Sequence, residues 1–126
     1  MSVYFTHEMA TEYQTDGFFL VRKLLTEGEL HQVTDYIIEN VINSGQLPVV
    51  QPHKTDRFLR EWGSQERFLD LVQPLLGPDL ALWTVHCFYK SSVTGPRTPW
   101  HQDASYRATK PVVTATVWPT CDPGDQ

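Results

Sequence analysis

The stretch Trp100-His101-Gln102-Asp103, within the longer run from Thr98 to Tyr106, decides how the chain is interpreted. On an extended strand successive side chains alternate between the two faces, so His101 and Asp103 would point the same way and Gln102 the opposite way. An imidazole nitrogen and a carboxylate oxygen would then lie side by side. This arrangement is two thirds of the two-histidine, one-carboxylate triad that holds non-heme Fe(II) and leaves coordination positions open.

The same pair of residues allows other interpretations. A histidine on a strand can simply hydrogen-bond a neighbouring aspartate, and a His-x-Asp tripeptide recurs by chance. The pair would also suit Mn(II) or Zn(II), so a zinc-dependent hydrolase is one alternative function. A non-enzymatic protein, whose helices and strands serve only folding or association, is another.

Composition limits the class of protein. The chain has 126 residues, 40% of them hydrophobic, which is the size of one domain spanning residues 1–126 with its own core. The net charge of -5, without a cluster of lysine and arginine, argues against binding to nucleic acid or to anionic membranes. No apolar run approaches the ~18 residues that span a bilayer, and the first residues lack the features of a signal peptide. The two cysteines form no disulfide framework, so we expect a soluble protein of the cytoplasm.

Helices are predicted in the first part of the chain. Residues from Thr6 to Asp16 are typical of a short helix that ends at Gly17. Thr26 and Glu29 form a capping-box pattern, which begins a second helix. The apolar residues of that helix follow helical spacing at Leu30, Val33, Ile37, Ile38, Val41 and Ile42. After a loop from Gln46 to Thr55, a third helix is expected to open at Ser64, with Phe68, Leu71, Val72 and Leu75 on one face, and to end at Pro74 and Gly77-Pro78.

Strands are predicted mainly in the second part. Residues Leu80 to Lys90 and Val112 to Trp118 alternate between two faces, and Phe18 to Val21 is a brief run of strand formers. Helices first and strands later predict an α+β fold, with the helices packed on one side of a sheet.

Several stretches together resemble one known family. From Tyr13 to about Asp122 the chain is similar to the phytanoyl-CoA dioxygenase family, the Fe(II)- and 2-oxoglutarate-dependent oxygenases built on a double-stranded β-helix. The stretches that carry the resemblance are Tyr13–Val21, Leu24–Leu30, Leu75–Leu80, Phe88–Lys90, Trp100–Asp103 with Tyr106, and Val113–Trp118. The fold that the resemblance implies is an incomplete double-stranded β-helix, of the jelly-roll or cupin-like kind, with the N-terminal helices packed on it.

The resemblance also implies roles for individual residues. His101 and Asp103 match two of the three iron ligands, and the presence of Asp103 favours hydroxylation over halogenation. Trp118, His86, Lys54 and Tyr106 match or lie near positions that contact 2-oxoglutarate. Each of these four has a structural alternative: a core aromatic, a hydrogen-bonded strand histidine, a solvated loop lysine and a packing tyrosine, respectively. The partners implied are a small organic substrate and O2.

The chain departs from the family pattern in one respect. The family needs a second histidine ligand, followed by an arginine that pairs with the oxoglutarate carboxylate, and no histidine follows His101. Arg107 and Lys110 come too early to be that arginine. We therefore expect the chain to be the N-terminal part of an oxygenase, with the C-terminal half of the β-helix missing, and to turn over no 2-oxoglutarate by itself.

Overall fold

The computed structural model describes residues 4–43, 51–88, 95, 97–103 and 113–120. The α-helices of this part are α1 (His7–Asp16), α2 (Glu27–Ile37), α3 (Arg57–Gly63) and α4 (Glu66–Leu76). A π-helical turn (Ile38–Ile42) continues α2, and a 3₁₀ turn (Pro52–Lys54) precedes α3. Among the described residues, no helix has the length and apolar character needed to cross a membrane.

Local capping signals place α1 where the sequence predicts it. The Thr6 hydroxyl oxygen accepts a hydrogen bond from the Met9 N–H at 3.2 Å, which satisfies one of the open donors of the first turn. Gly17 ends the helix in the left-handed conformation at φ 82°, and its N–H donates to the Tyr13 carbonyl. Both predicted ends of α1 are confirmed.

The predicted capping box also forms at the start of α2. The Glu29 N–H donates to the Thr26 hydroxyl oxygen at 3.3 Å, and the Glu29 carboxylate accepts from the Thr26 N–H at 2.8 Å. Val33 and Val41, from the predicted apolar stripe, are buried. The regular α-helix ends at Ile37, and the rest of the predicted apolar stripe, up to Ile42, lies on the π-helical turn.

Helix α3 was not predicted from the sequence. It has only seven residues and follows the stretch that was interpreted as a loop. Asp56 caps it, because one carboxylate oxygen accepts from the Leu59 N–H at 3.0 Å. Helix α4 begins at Glu66, slightly after the predicted Ser64, and continues through Pro74 to Leu76 before Gly77. The prediction that Pro74 ends this helix was therefore wrong, whereas the stop at Gly77 is confirmed.

Side chains of α2, α3 and α4 hold these helices together. The buried apolar residues of the described part all lie on the helical elements: Val33, Val41, Leu59, Phe68 and Leu71. Between α2 and α3, the Tyr36 hydroxyl donates to Asp56 at 2.7 Å, and the Tyr36 ring stacks on Phe58 with centroids 3.9 Å apart. This hydrogen bond raises the pKa of Tyr36, because the neighbouring carboxylate favours the protonated phenol.

An ion pair joins α2 to α4. The Arg67 guanidinium donates to both carboxylate oxygens of Glu29, in the bidentate geometry that suits these two groups. Arg67 also donates to the Leu24 carbonyl at 3.2 Å, just before the capping box. The Glu29 carboxylate therefore closes the first turn of α2 and binds α4 at the same time.

The predicted α+β fold is contradicted in the described part of the chain, which is helical and contains no sheet. The described residues of four stretches that were expected on strands do not form strands. These stretches are Phe18 to Val21, Leu80 to Lys90, Val112 to Trp118, and the segment with His101 and Asp103. An isolated bridge occurs at His86. The prediction of helices packed on an incomplete double-stranded β-helix, jelly-roll or cupin-like, is corrected accordingly. Alternating polarity shows how side chains would divide between two faces, but a strand exists only where its backbone groups pair with a neighbour. The Val85 N–H instead donates to the Nδ1 atom of His53.

Acid is expected to weaken the junction between α2 and α4. Hydrogen bonds from Arg67, and then from the Thr26 backbone and hydroxyl, lower the pKa of Glu29 from 4.5 to about 2. A carboxyl group whose pKa is lower in the folded chain stabilises the fold fully above its unfolded pKa. This stabilisation should therefore be lost progressively as the pH falls from 4.5 toward about 2, which urea unfolding at a series of pH values would measure.

Two variants test the source of this acid sensitivity. Arg67→Met should reduce the pH dependence of the free energy of unfolding between pH 4.5 and about 2, because it removes the largest cause of the lowered pKa of Glu29. Arg57→Met is the matched control: it breaks the Arg57–Glu61 pair, whose side chains are 82% and 62% exposed, and such exposed pairs contribute little. Equal effects of the two variants would contradict the assignment to Glu29.

Candidate metal centre

His101 and Asp103 lie side by side in the structure, although they are not on a strand. The Nε2 atom of His101 and the Oδ1 atom of Asp103 are 3.2 Å apart. The two side chains are 42% and 56% exposed, so the pair lies at the surface of the described part of the chain. The two groups are therefore positioned to act on the same ion, and metal ligation by them stays a prediction.

The other ring nitrogen of His101 is held by the backbone. Nδ1 is 2.9 Å from the Pro99 carbonyl oxygen, and a carbonyl oxygen can only accept, so Nδ1 carries the hydrogen of this bond. In a neutral imidazole Nε2 then has a lone pair, which faces the Asp103 carboxylate. Two acceptors at this distance attract one another only when a proton or a cation lies between them.

The distance between the two atoms fits a divalent metal ion. Imidazole nitrogen and carboxylate oxygen bind such ions at about 2.0–2.2 Å, so two adjacent ligands at a right angle are about 3.0 Å apart. The 3.2 Å between Nε2 and Oδ1 is close to that value. A hydrogen bond from the other ring nitrogen to a carbonyl oxygen is also usual for metal-binding histidines, since it fixes the ring and its tautomer.

A complete three-ligand site is not present in the part of the chain that the structure describes. No group of three or more histidine, cysteine, aspartate or glutamate side chains there could hold a metal ion. If the pair binds a metal ion, it would supply two adjacent ligands and leave the rest of the coordination sphere to other groups.

Two of the predicted 2-oxoglutarate contacts lie close together. Trp118 stacks on Phe88, with ring centroids 5.4 Å apart and planes 12° apart. The His86 ring packs edge-to-face against Phe88 itself, with ring centroids 5.8 Å apart and planes 77° apart. These three residues form what we call the aromatic row. Phe88 was not predicted as a site residue, and it is the ring through which His86 and Trp118 are connected.

The aromatic row is on the surface. Phe88 is 70% exposed and Trp118 is 69% exposed, so Trp118 is not part of the buried helical core. Exposed aromatic rings can contact a ligand, because each ring presents a large apolar face. The role of Trp118 and His86 toward 2-oxoglutarate stays a prediction.

Lys54, another of the predicted contacts, is not joined to the aromatic row. Lys54 is exposed at the end of the 3₁₀ turn, and among the described residues no hydrogen bond or ring contact joins its side chain to His86 or Trp118. Tyr106 lies outside the described residues, and its role stays a prediction.

His53 is a buried polar residue that sequence reasoning missed. It is 7% exposed, and its Nδ1 atom accepts the Val85 N–H at 3.2 Å. Burial, and then the charges of Lys54, Arg60 and His86, lower the pKa of His53. Nothing local in the sequence indicates this contact, because its partners are 32 residues apart and His53 lies in a predicted loop.

Comparison with known proteins identifies a family for the chain. A family model described as phytanoyl-CoA dioxygenase (PhyH) matches residues 34–123. No curated protein and no solved structure matches the chain. The matched residues include the His101–Asp103 pair, the aromatic row and His53.

Proposed function

The chain belongs to the phytanoyl-CoA dioxygenase family, whose model covers residues 34–123, and we propose on this basis that it contributes to an Fe(II)- and 2-oxoglutarate-dependent dioxygenase in which His101 and Asp103 bind the iron. The observation that carries the proposal is the 3.2 Å approach of Nε2 to Oδ1, with Nδ1 held by the Pro99 carbonyl. Two acceptors so placed are joined by a divalent ion with little movement of either side chain.

The residues of the chain have distinct parts in this proposal. His101 and Asp103 hold Fe(II) from one side, and the hydrogen bond to Pro99 keeps the imidazole oriented. Bound Fe(II), with 2-oxoglutarate and O2, supplies the oxidising power to hydroxylate a C–H bond of a small organic substrate. Trp118 and His86 would contact 2-oxoglutarate from the aromatic row, whereas Lys54, which is not joined to the row, would have to reach a carboxylate of 2-oxoglutarate with its flexible side chain.

Iron binding is the direct test. Anaerobic addition of Fe(II) and 2-oxoglutarate to the 126-residue chain should give a visible charge-transfer band. His101→Ala and Asp103→Ala should each weaken Fe(II) binding by at least about 10–100-fold, the loss seen even for residues that only orient metal ligands. His31→Ala, which removes an exposed histidine from α2, is the matched control and should leave the band unchanged. A band that survives His101→Ala would contradict the proposal, and tight binding of Zn(II) with no Fe(II) band would favour the hydrolase.

We expect the chain to bind Fe(II) without converting 2-oxoglutarate. The histidines of the chain are at positions 7, 31, 53, 86 and 101, and the described ones form no three-ligand cluster. Residues 1–126 alone should therefore bind Fe(II) but convert no 2-oxoglutarate. Succinate formed in excess of a His101→Ala control would show that the chain completes the site by itself.

A further inference from the structure

His53 connects two distant parts of the chain through its side chain. Its imidazole lies in the 3₁₀ turn before α3, is nearly fully buried, and accepts the N–H of Val85 at 3.2 Å. Val85 directly precedes His86, the first residue of the aromatic row. The hydrogen bond therefore fixes the backbone at the point where the row begins.

We propose that His53 is a positioning residue: its neutral imidazole holds the Val85 amide, and thereby the aromatic row, and it releases both when it gains a proton. The chemistry of the ring requires this dependence. Nδ1 is an acceptor only while it carries no hydrogen, and in the imidazolium ion both ring nitrogens are donors. A protonated His53 would place an N–H against the Val85 N–H, and the hydrogen bond would be lost.

The surroundings of His53 keep it neutral at ordinary pH. Three groups that carry or can gain positive charge act on it: Lys54 from its own turn, Arg60 from α3, and His86 from the facing segment. The nearest carboxylate along the chain, Asp56, is occupied by the Tyr36 hydroxyl and the Leu59 N–H. Burial and these charges lower the pKa of His53 below 6.5, so its stabilising hydrogen bond is complete above that value and is lost as the pH falls through the folded-state pKa.

The turn itself does not depend on the protonation state. The Arg60 guanidinium donates to the His53 backbone carbonyl at 3.4 Å, and the Thr55 and Asp56 N–H groups donate to Pro52. Protonation should therefore free the Val85 segment while the turn before α3 remains folded. The hydrogen bond between His53 and Val85 is independent of the proposed function. Only a contact between the aromatic row and 2-oxoglutarate rests on that function.

Solution NMR of the full chain tests the proposal without iron. The Val85 amide and the His53 ring protons should titrate together, with a midpoint below 6.5. In His53→Asn, the amide oxygen occupies the place of Nδ1 and accepts without titrating, so the Val85 resonance should keep its neutral-pH position and lose its pH dependence. In His53→Leu, Val85 should lose its protection from hydrogen exchange at every pH. His86→Asn should leave the wild-type titration of Val85 in place, which excludes His86 as its origin.

Two results would overturn the proposal: a Val85 amide that is indifferent to pH in the wild-type chain, or one that keeps its transition in His53→Asn. If His53→Leu does not fold, the titrations of the wild-type chain and of His53→Asn still show whether the Val85 amide depends on the protonation of His53. A second measurement separates this proposal from the proposed function. If the NMR result is as expected but the wild-type chain gives no band with Fe(II) and 2-oxoglutarate, then the oxygenase proposal fails while the role of His53 stands.

Discussion

Replacing Leu59 by alanine is expected to lower the free energy of unfolding by about 2–5 kcal/mol, the cost of emptying a well-packed leucine site. Leu59 is 1% exposed and lies in the middle of α3. The loss combines the transfer energy of the removed carbon atoms with the contacts that the surrounding side chains lose around the cavity. Since whole domains are stable by only about 5–15 kcal/mol, this change should remove a large part of the stability of the chain. Urea denaturation followed by circular dichroism measures it.

Leu69→Ala is the matched control for this prediction. Leu69 is also a helical leucine, on α4, but it is 39% exposed. Its removal should cost less than about 1 kcal/mol, because a partly exposed side chain leaves no closed cavity. Similar losses for the two leucines would mean that α3 does not pack as described.

Gly63→Ala is expected to destabilise the chain by about 1–3 kcal/mol, the usual cost of adding a carbon atom to a filled space. A Cβ at Gly63 would lie 2.9 Å from the Cγ2 atom of Val85, which is closer than carbon atoms approach. Alanine is the better helix former by roughly 0.5–1 kcal/mol, and that gain is smaller than the clash, so the net effect is a loss. Thermal or urea unfolding gives the sign and the size.

Two further variants isolate the clash. Val85→Ala in the Gly63→Ala background removes the opposing methyl group, so the double variant should be more stable than the sum of the two single changes predicts. Gly28→Ala in α2 meets nothing within 4 Å and should leave the chain unchanged or make it slightly more stable. A neutral or stabilising Gly63→Ala would show that Val85 does not lie against α3.

The sequence predicts those parts of the fold that depend on neighbours along the chain. The hydroxyl of Thr6, the left-handed Gly17 and the reciprocal bonds of Thr26 and Glu29 are local signals, and they place α1 and the start of α2 correctly. The family resemblance is likewise confirmed, over residues 34–123. Helix α3 was missed because seven residues give too little periodicity to recognise.

The parts that were wrong or missed depend on contacts between distant residues. The alternation in Leu80 to Lys90 predicted a strand, but alternation does not identify a partner strand. In the structure the Val85 N–H donates to the imidazole of His53 instead. For the candidate site, the sequence indicated that His101 and Asp103 would be adjacent. The structure places their side chains next to each other in a segment that is not a strand. The connection of His86 to Trp118 through Phe88 spans 32 positions of sequence and has no local signature.

The shared carboxylate of Asp56 has a consequence for how the chain acquires its structure. One of its oxygens caps α3, and the other accepts the hydroxyl of Tyr36 on α2. A helix of seven residues does not persist alone in water, because nucleation costs more than so few hydrogen bonds return. α3 therefore depends on tertiary contacts such as those with Tyr36, and we expect α2 and α3 to unfold as one cooperative unit, on which the ordering of the Val85 segment then depends.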